Sequence, residues 1–217
     1  AHTFKSLLVQ TGGTWTADGS NHLTLSGEND SDFALQIVDG TYNHANGTVV
    51  INNGGGGIAH AAIEGGVGNS TTGLYDLTIS GGGTTCEIYG TTTIHRNMEA
   101  GGATTVLRGD LTVNGNLTVY GALTTIFSST SHNLTVNGPT TIGLGSGAAD
   151  VSTLTCNAST VSLGALRQQA DYAVNIEIGG TFVGGTGTHT FGSLFMAQSA
   201  NAKATMTTGQ VKVNGYN

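Results

Sequence analysis

The chain has 217 residues, of which only 9% are charged: six Lys or Arg against 13 Asp or Glu, a formal net charge of −7. Lys5, Arg96, Arg108, Arg167, Lys203 and Lys212 are scattered singly, so no basic stripe could neutralise a phosphate backbone, and nucleic acid is not an expected partner. No apolar run approaches the roughly 20 residues a membrane-spanning helix needs, and 36 Gly with one Pro, Pro139, among many Thr, Ser and Asn describe a strand-rich, helix-poor chain.

Residues 1–39 alternate apolar positions at Leu7 and Val9, Leu23 and Leu25, and Leu35 and Ile37, with Trp15 after a Gly-Gly turn, which predicts an N-terminal cap and first strands. From 40 to 195 strands recur. Gly40-Thr-Tyr42 and Gly180-Thr-Phe182 are each followed by Gly-Thr seven residues after the first Gly, a shared spacing that predicts a repeated strand-turn-strand corner. Between them, 54–73 is the least regular part, where Ile58 to Ile63 is apolar enough for a short helix or packed loop.

The stretch from Asp110 to Gly143 states the rule most plainly. Leu111 and Val113, Leu117 and Val119, and Leu134 and Val136 each flank a Thr and stop at Gly or Asn-Gly, a period-2 strand with turn punctuation. Such short units cannot bury their apolar side alone and must stack. The reading is therefore an all-β, single-domain parallel β-helix over 1–217, with coils of about 17–23 residues counted at Leu77, Ile94, Leu111, Leu134, Leu154, Ile176 and Phe195. Residues 196–217, with Val211 and Val213, predict a C-terminal strand or cap. Leu111, Val113, Leu134 and Val136 should point inward in rows, and Thr112 and Thr135 outward. Cys86 and Cys156 read as small buried hydrophobes several rungs apart, a placement that disfavours a disulfide.

No residue pattern here announces a catalytic centre or cofactor. Glu28, Asp30 and Asp32 offer three carboxylates in five residues, a candidate Ca²⁺ loop, but without EF-hand spacing or its Gly; a solvated loop is the simpler reading. Asp76, Asp110, Asp150 and Asp171 recur singly near turns and lack the pairing that glycan cleavage needs. The seven His show neither His-x-His nor His-Glu-x-x-His spacing, and most are expected at the surface or in turns. Asn116 and Asn133 stand in Asn-x-Thr triplets that a Thr- and Asn-rich strand produces by chance.

The runs Gly40-Thr-Tyr-Asn-His-Ala-Asn-Gly-Thr-Val-Val-Ile-Asn52, Leu74-Tyr-Asp-Leu-Thr-Ile-Ser80 and Gly109-Asp-Leu-Thr-Val-Asn-Gly-Asn-Leu-Thr-Val119 resemble the Gly/Thr/Asn-rich parallel β-helix repeats of phage fibres, spikes and capsid decorations and of bacterial surface proteins. The resemblance covers 40–143 clearly, the remainder loosely, and carries no catalytic motif. It implies a non-enzymatic virion structural protein, made in the host cytoplasm, partnered by itself as a homotrimer, by other virion proteins such as the major capsid protein, and by host-surface glycans. An extracellular bacterial adhesin or filament subunit is the alternative, a polysaccharide-degrading enzyme the third reading. No signal-like sequence opens the chain, which favours the virion expectation, though Ala1 is compatible with a cleaved signal. Tyr89, Tyr120, Ile126 and Phe127, which cannot all be internal, are expected to mark the oligomer interface.

Overall fold

The computed structural model describes residues 2–17, 22–26, 34–38, 40–52, 61–64, 73–80, 85–101, 104–124, 126–127, 130–143, 152–164, 174–176, 180–196 and 202–214, and these form strands and turns without a helix. The chain winds past three faces in fixed order. The first coil is β1 (His2–Phe4), β2 (Leu7–Val9) and β3 (Thr14–Thr16); the second is β4 (His22–Leu25), β5 (Leu35–Ile37) and β6 (Thr41–Asn43); β7 (Thr48–Asn52) and β8 (Ala61–Glu64) belong to the third. Then come β9 (Asp76–Ser80), β10 (Cys86–Tyr89), β11 (Thr92–Ile94); β12 (Met98–Ala100), β13 (Thr104–Arg108), β14 (Leu111–Val113); and β15 (Leu117–Val119), β16 (Ala122–Thr124). A two-stranded antiparallel hairpin, β17 (Ile126–Phe127) and β18 (Thr130–Ser131), precedes β19 (Leu134–Val136). The last coils are β20 (Thr140–Ile142), β21 (Thr153–Thr155), β22 (Val161–Leu163); β23 (Val174–Ile176), β24 (Thr181–Val183), β25 (His189–Phe191); and β26 (Leu194–Met196), β27 (Lys203–Thr205), β28 (Val211–Val213).

The first face is the sheet β1-β4-β7-β9-β12-β15-β20-β23-β26, the second β2-β5-β8-β10-β13-β16-β21-β24-β27, the third β11-β14-β19-β22-β25-β28, all parallel. Six successive coils, β9 to β28, complete all three faces; β3 and β6 pair in the corresponding place of the first two. The fold is the expected β-solenoid.

Leu-Thr-Val shows why these residues make it. In an extended strand Leu111 and Val113 point one way and Thr112 the other. Stacking in register places Leu111 on Leu134, Thr112 on Thr135 and Val113 on Val136, with the apolar members buried and the Thr half-buried on the outside. Each buried Leu or Val contributes roughly 1.5–3 kcal/mol, and the rows extend to Val161 and Leu163 on the next strand. The Asn-Gly that ends each unit makes the corner: Asn137 Nδ2 donates to Asn114 Oδ1 at 2.9 Å and Gly138 N–H to Gly115 O at 3.0 Å. A Cβ on Gly138 would run into the Gly115 carbonyl, so only Gly lets successive corners approach this closely.

The rows correct several expectations. Leu77 lies on the first face and Ile94 on the third face of the same coil, so their separation is not a coil. Ile94 stacks on Val113, while Leu111 stacks on Thr92. Phe195 pairs with Asn175 at an outward position and is 59% exposed, whereas Leu194 and Met196 continue the inward rows from Val174 and Ile176. Paired positions lie from 18 residues apart (Thr104 and Ala122) to 34 (Thr140 and Val174), a wider range than the anchors suggested, because corners accept extra residues while strands stay short. Within the stretch expected to form a helix or loop, Ala61–Glu64 is a strand pairing with β5 and β10. Cys86 and Cys156 are buried thiols, Cys86 on β10 and Cys156 just after β21, which β13 and β16 separate from it.

Candidate functional site

The chemistry-bearing side chains gather at corners. Where the third face turns into the first, Asp76 opens β9, and its carboxylate accepts from Arg96 Nε at 2.9 Å and Nη2 at 2.5 Å. The Asn97 N–H also donates to Asp76 Oδ1 at 2.9 Å, and one coil on the Asn116 N–H donates to Asn97 Oδ1 at 3.0 Å. Each acidic or amide side chain thus caps a backbone N–H of the following coil. A ring stack runs beside this ladder: the Arg96 guanidinium lies over Tyr75 at 5.1 Å, and Tyr75 stacks on His44 with centroids 5.3 Å apart. His95 lies 5.2 Å from His44.

His44 is held neutral by geometry as well as by environment. Its Nδ1 accepts from the Asn46 N–H at 2.9 Å, steadying the left-handed pair Ala45 (φ 41°) and Asn46 (φ 65°). Burial, then the neighbouring His95, lowers its pKa.

On the second face, Glu87 faces outward yet is buried, with Arg108 Nη2 donating to Oε1 and the Tyr89 hydroxyl to Oε2 at 2.7 Å. The Arg108 guanidinium stacks on the Tyr89 ring at 4.9 Å. At the next corner, Asp110 Oδ1 accepts the Asn133 N–H at 2.8 Å, and Asn133 Oδ1 accepts the Thr160 N–H at 3.2 Å. Charge-assisted bonds of this kind are the stronger class, and a carboxylate neutralised by a fixed Arg is a weak proton acceptor.

The sequence candidates are placed unevenly. Glu28, Asp30 and Asp32, with Asp150, Asp171 and His60, lie outside the described residues. Asp76 and Asp110 sit at different corners, where the contacts above bind one coil to the next. Among the described residues no three His, Cys, Asp or Glu stand where they could share a metal ion. His2 and His22 are exposed and His44, His95 and His132 half-buried, but His189 departs from the surface expectation: it occupies an inward row position between Val161 and Val211. Asn133 is a link in a corner ladder. Glu87 with Arg108 was not anticipated, although Tyr89 and Arg108 one coil apart, with Glu87 two residues before Tyr89, is the spacing that would have shown it.

Of the outward residues expected at an interface, Tyr89 is taken up by Glu87 and Arg108, and Tyr120 packs its ring on Gly101. The side chains of Ile126 and Phe127 lie outside the described set. No family model, curated protein or solved structure matches the chain.

Proposed function

We propose that the chain is a non-enzymatic structural subunit of a phage virion, a capsid decoration or a short fibre or spike, assembling with copies of itself and with other virion proteins such as the major capsid protein. The observation that carries the reading is the use to which its reactive side chains are put. Asp76, Glu87 and Asp110 are each bound across coils, to Arg96, Arg108 and Asn133 respectively, so these three carboxylates go into holding the stack together. The threonines follow the same logic: Thr93, Thr112, Thr135, Ser162 and Thr190 form one outward hydroxyl row on the third face, which ends at Lys212.

Antibodies raised against the recombinant chain should label purified phage particles from the source culture and leave host envelopes unlabelled. Envelope labelling would instead support the adhesin or filament reading. Incubation with acidic polysaccharides should leave them intact, and release of unsaturated oligosaccharides would overturn the non-enzymatic role.

A further inference from the structure

Strained backbone among the described residues concentrates at one corner, between β6 and β7. Of the three residues other than Gly with positive φ, two are consecutive there, Ala45 (φ 41°) and Asn46 (φ 65°). Asn visits the left-handed region readily, but Ala has no polar side chain to offset the clash of its Cβ. The turn of matching sequence spacing, 184–187, places Gly185 (φ 69°) where this one has Ala45. Such a conformation persists only where its surroundings hold it. Three acceptors do so here: Asn43 Oδ1 takes the Ala45 N–H at 3.1 Å, His44 Nδ1 the Asn46 N–H at 2.9 Å and His44 O the Gly47 N–H at 2.6 Å. A backbone N–H can only donate, so Nδ1 carries no proton while this corner is formed.

We infer that His44 is a proton switch for this corner: a proton on Nδ1 sets donor against donor at Asn46, releases the left-handed pair and loosens the junction between β6 and β7. The groups that face His44 oppose that proton instead of absorbing it. They are the Tyr75 ring ahead of β9, with centroids 5.3 Å apart, and the His95 ring after β11, at 5.2 Å, whose Nε2 is buried without a hydrogen-bond partner. Beyond Tyr75 stands Arg96, and the carboxylate of this column, Asp76, is already engaged by it. A charged His44 gains little from the Tyr75 ring, because the Arg96 guanidinium lies over that ring at 5.1 Å. Burial, then His95, lowers the His44 pKa, so the corner is intact at neutral pH and its release falls below the ordinary His value of about 6.5. His44, Tyr75 and Arg96 stand where the third, fourth and fifth coils begin, so the switch sits in a column that joins three coils. It goes beyond the proposed role, since it needs only the folded chain and holds whichever particle or surface the protein serves.

NMR of the isotope-labelled full chain tests the switch. Ring nitrogen shifts at pH 8 should show His44 with Nδ1 bare and Nε2 protonated. From pH 8 to pH 5 the Asn46 amide should shift with the same midpoint as the His44 ring and lose its protection from solvent exchange. The Gly138 amide, bonded to Gly115 O at a corner without a His, should keep its own protection. His44→Phe keeps a ring beside Tyr75 but has neither acceptor nor charge, so its Asn46 amide should be poorly protected at every pH and show no transition. In His95→Phe the transition should persist with its midpoint at higher pH. An Nδ1–H tautomer at pH 8, an Asn46 amide indifferent to the His44 titration, or a transition that survives in His44→Phe would each overturn the inference. Should His44→Phe fail to fold, the tautomer and the matched midpoints in the unaltered chain decide the question by themselves.

Discussion

A threonine in this chain has one of two environments, and the difference is set by a single residue of register. Thr112 and Thr135 stand outward in a hydroxyl row, whereas Thr140 occupies a fully buried inward position beneath Leu117, its hydroxyl without a hydrogen-bond partner. Inward positions therefore tolerate a small polar group but not a charge. Leu134→Asp places a carboxylate between Leu111 and Val161, where no cation faces it, and should cost more than about 3 kcal/mol. A urea midpoint unchanged from wild type would refute the register. The buried His189 makes a second residue-scale prediction. Its Nε2 lies 2.5 Å from Gly184 O, its Nδ1 is buried without a partner, and Phe182 and Phe191 pack on the ring. Burial lowers its pKa more than the Gly184 contact raises it, and His44 is lowered too. The unfolded chain, with His near the ordinary value of about 6.5, then binds more protons than the folded one. Stability is full above that value and falls as pH drops through it toward the lowered folded values. Urea midpoints from pH 8 to 5 should decline on the acid side, less steeply in His189→Leu, and identical slopes in the two proteins would count against the assignment.

At the scale of the element, a three-residue strand is too short to be stable by itself, and the corner bonds give it neighbours at both ends. Asn133 is the clearest instance, taking the Asp110 oxygens from the coil before while accepting the Thr160 N–H from the coil after. Its replacement by Ala removes the two side-chain bonds, from Nδ2 to Asp110 and from the Thr160 N–H to Oδ1, while the backbone N–H stays on Asp110, and should cost about 1 kcal/mol, seen as a lowered thermal midpoint. Asn133→Asp should recover part of that loss at the Thr160 side only, since its carboxylate cannot replace the Nδ2 donation to Asp110; equal stability of both variants would remove the Asn133 side chain from the ladder. This element also shows what the sequence could reveal. Leu-Thr-Val alternation is local, so the inward and outward sides of β14 and β19 were legible from six residues. The face each strand occupies depends on how many residues the preceding corner holds, which is why Leu77 and Ile94 were assigned to successive coils when they share one. Glu87 with Arg108 was hidden for a similar reason: its contact is vertical, one coil apart, and is visible only once the register is known. The acidic stretch Glu28, Asp30 and Asp32, a solvated loop by the simpler reading and a calcium candidate by the other, falls outside the described residues.

For the molecule as a whole, stability in a stack is a chain of nearest-neighbour interfaces. Among the described residues the interior coils are covered on both sides, whereas Phe4 on β1 is 40% exposed and Val213 on β28 is 57% exposed. Opening should therefore begin at the ends and progress inward. Native-state hydrogen exchange on this chain should find β12, β15 and β20 among the slowest strands, and β1 and β26 among the fastest of the same face. A local lesion sharpens the prediction. Phe182 is buried under β27, stacked edge-on with Phe191 and His189, so Phe182→Ala removes a large buried ring from the last coils at a cost of roughly 3–5 kcal/mol. In a stack that loss falls on the coils that flank β24, from β21 to β28, whose amides should exchange faster, while β9 to β15, which do not pair with β24, should keep wild-type protection. Uniform acceleration across every strand would mean that the solenoid unfolds as one cooperative unit, and the picture of separable coils would have to be abandoned.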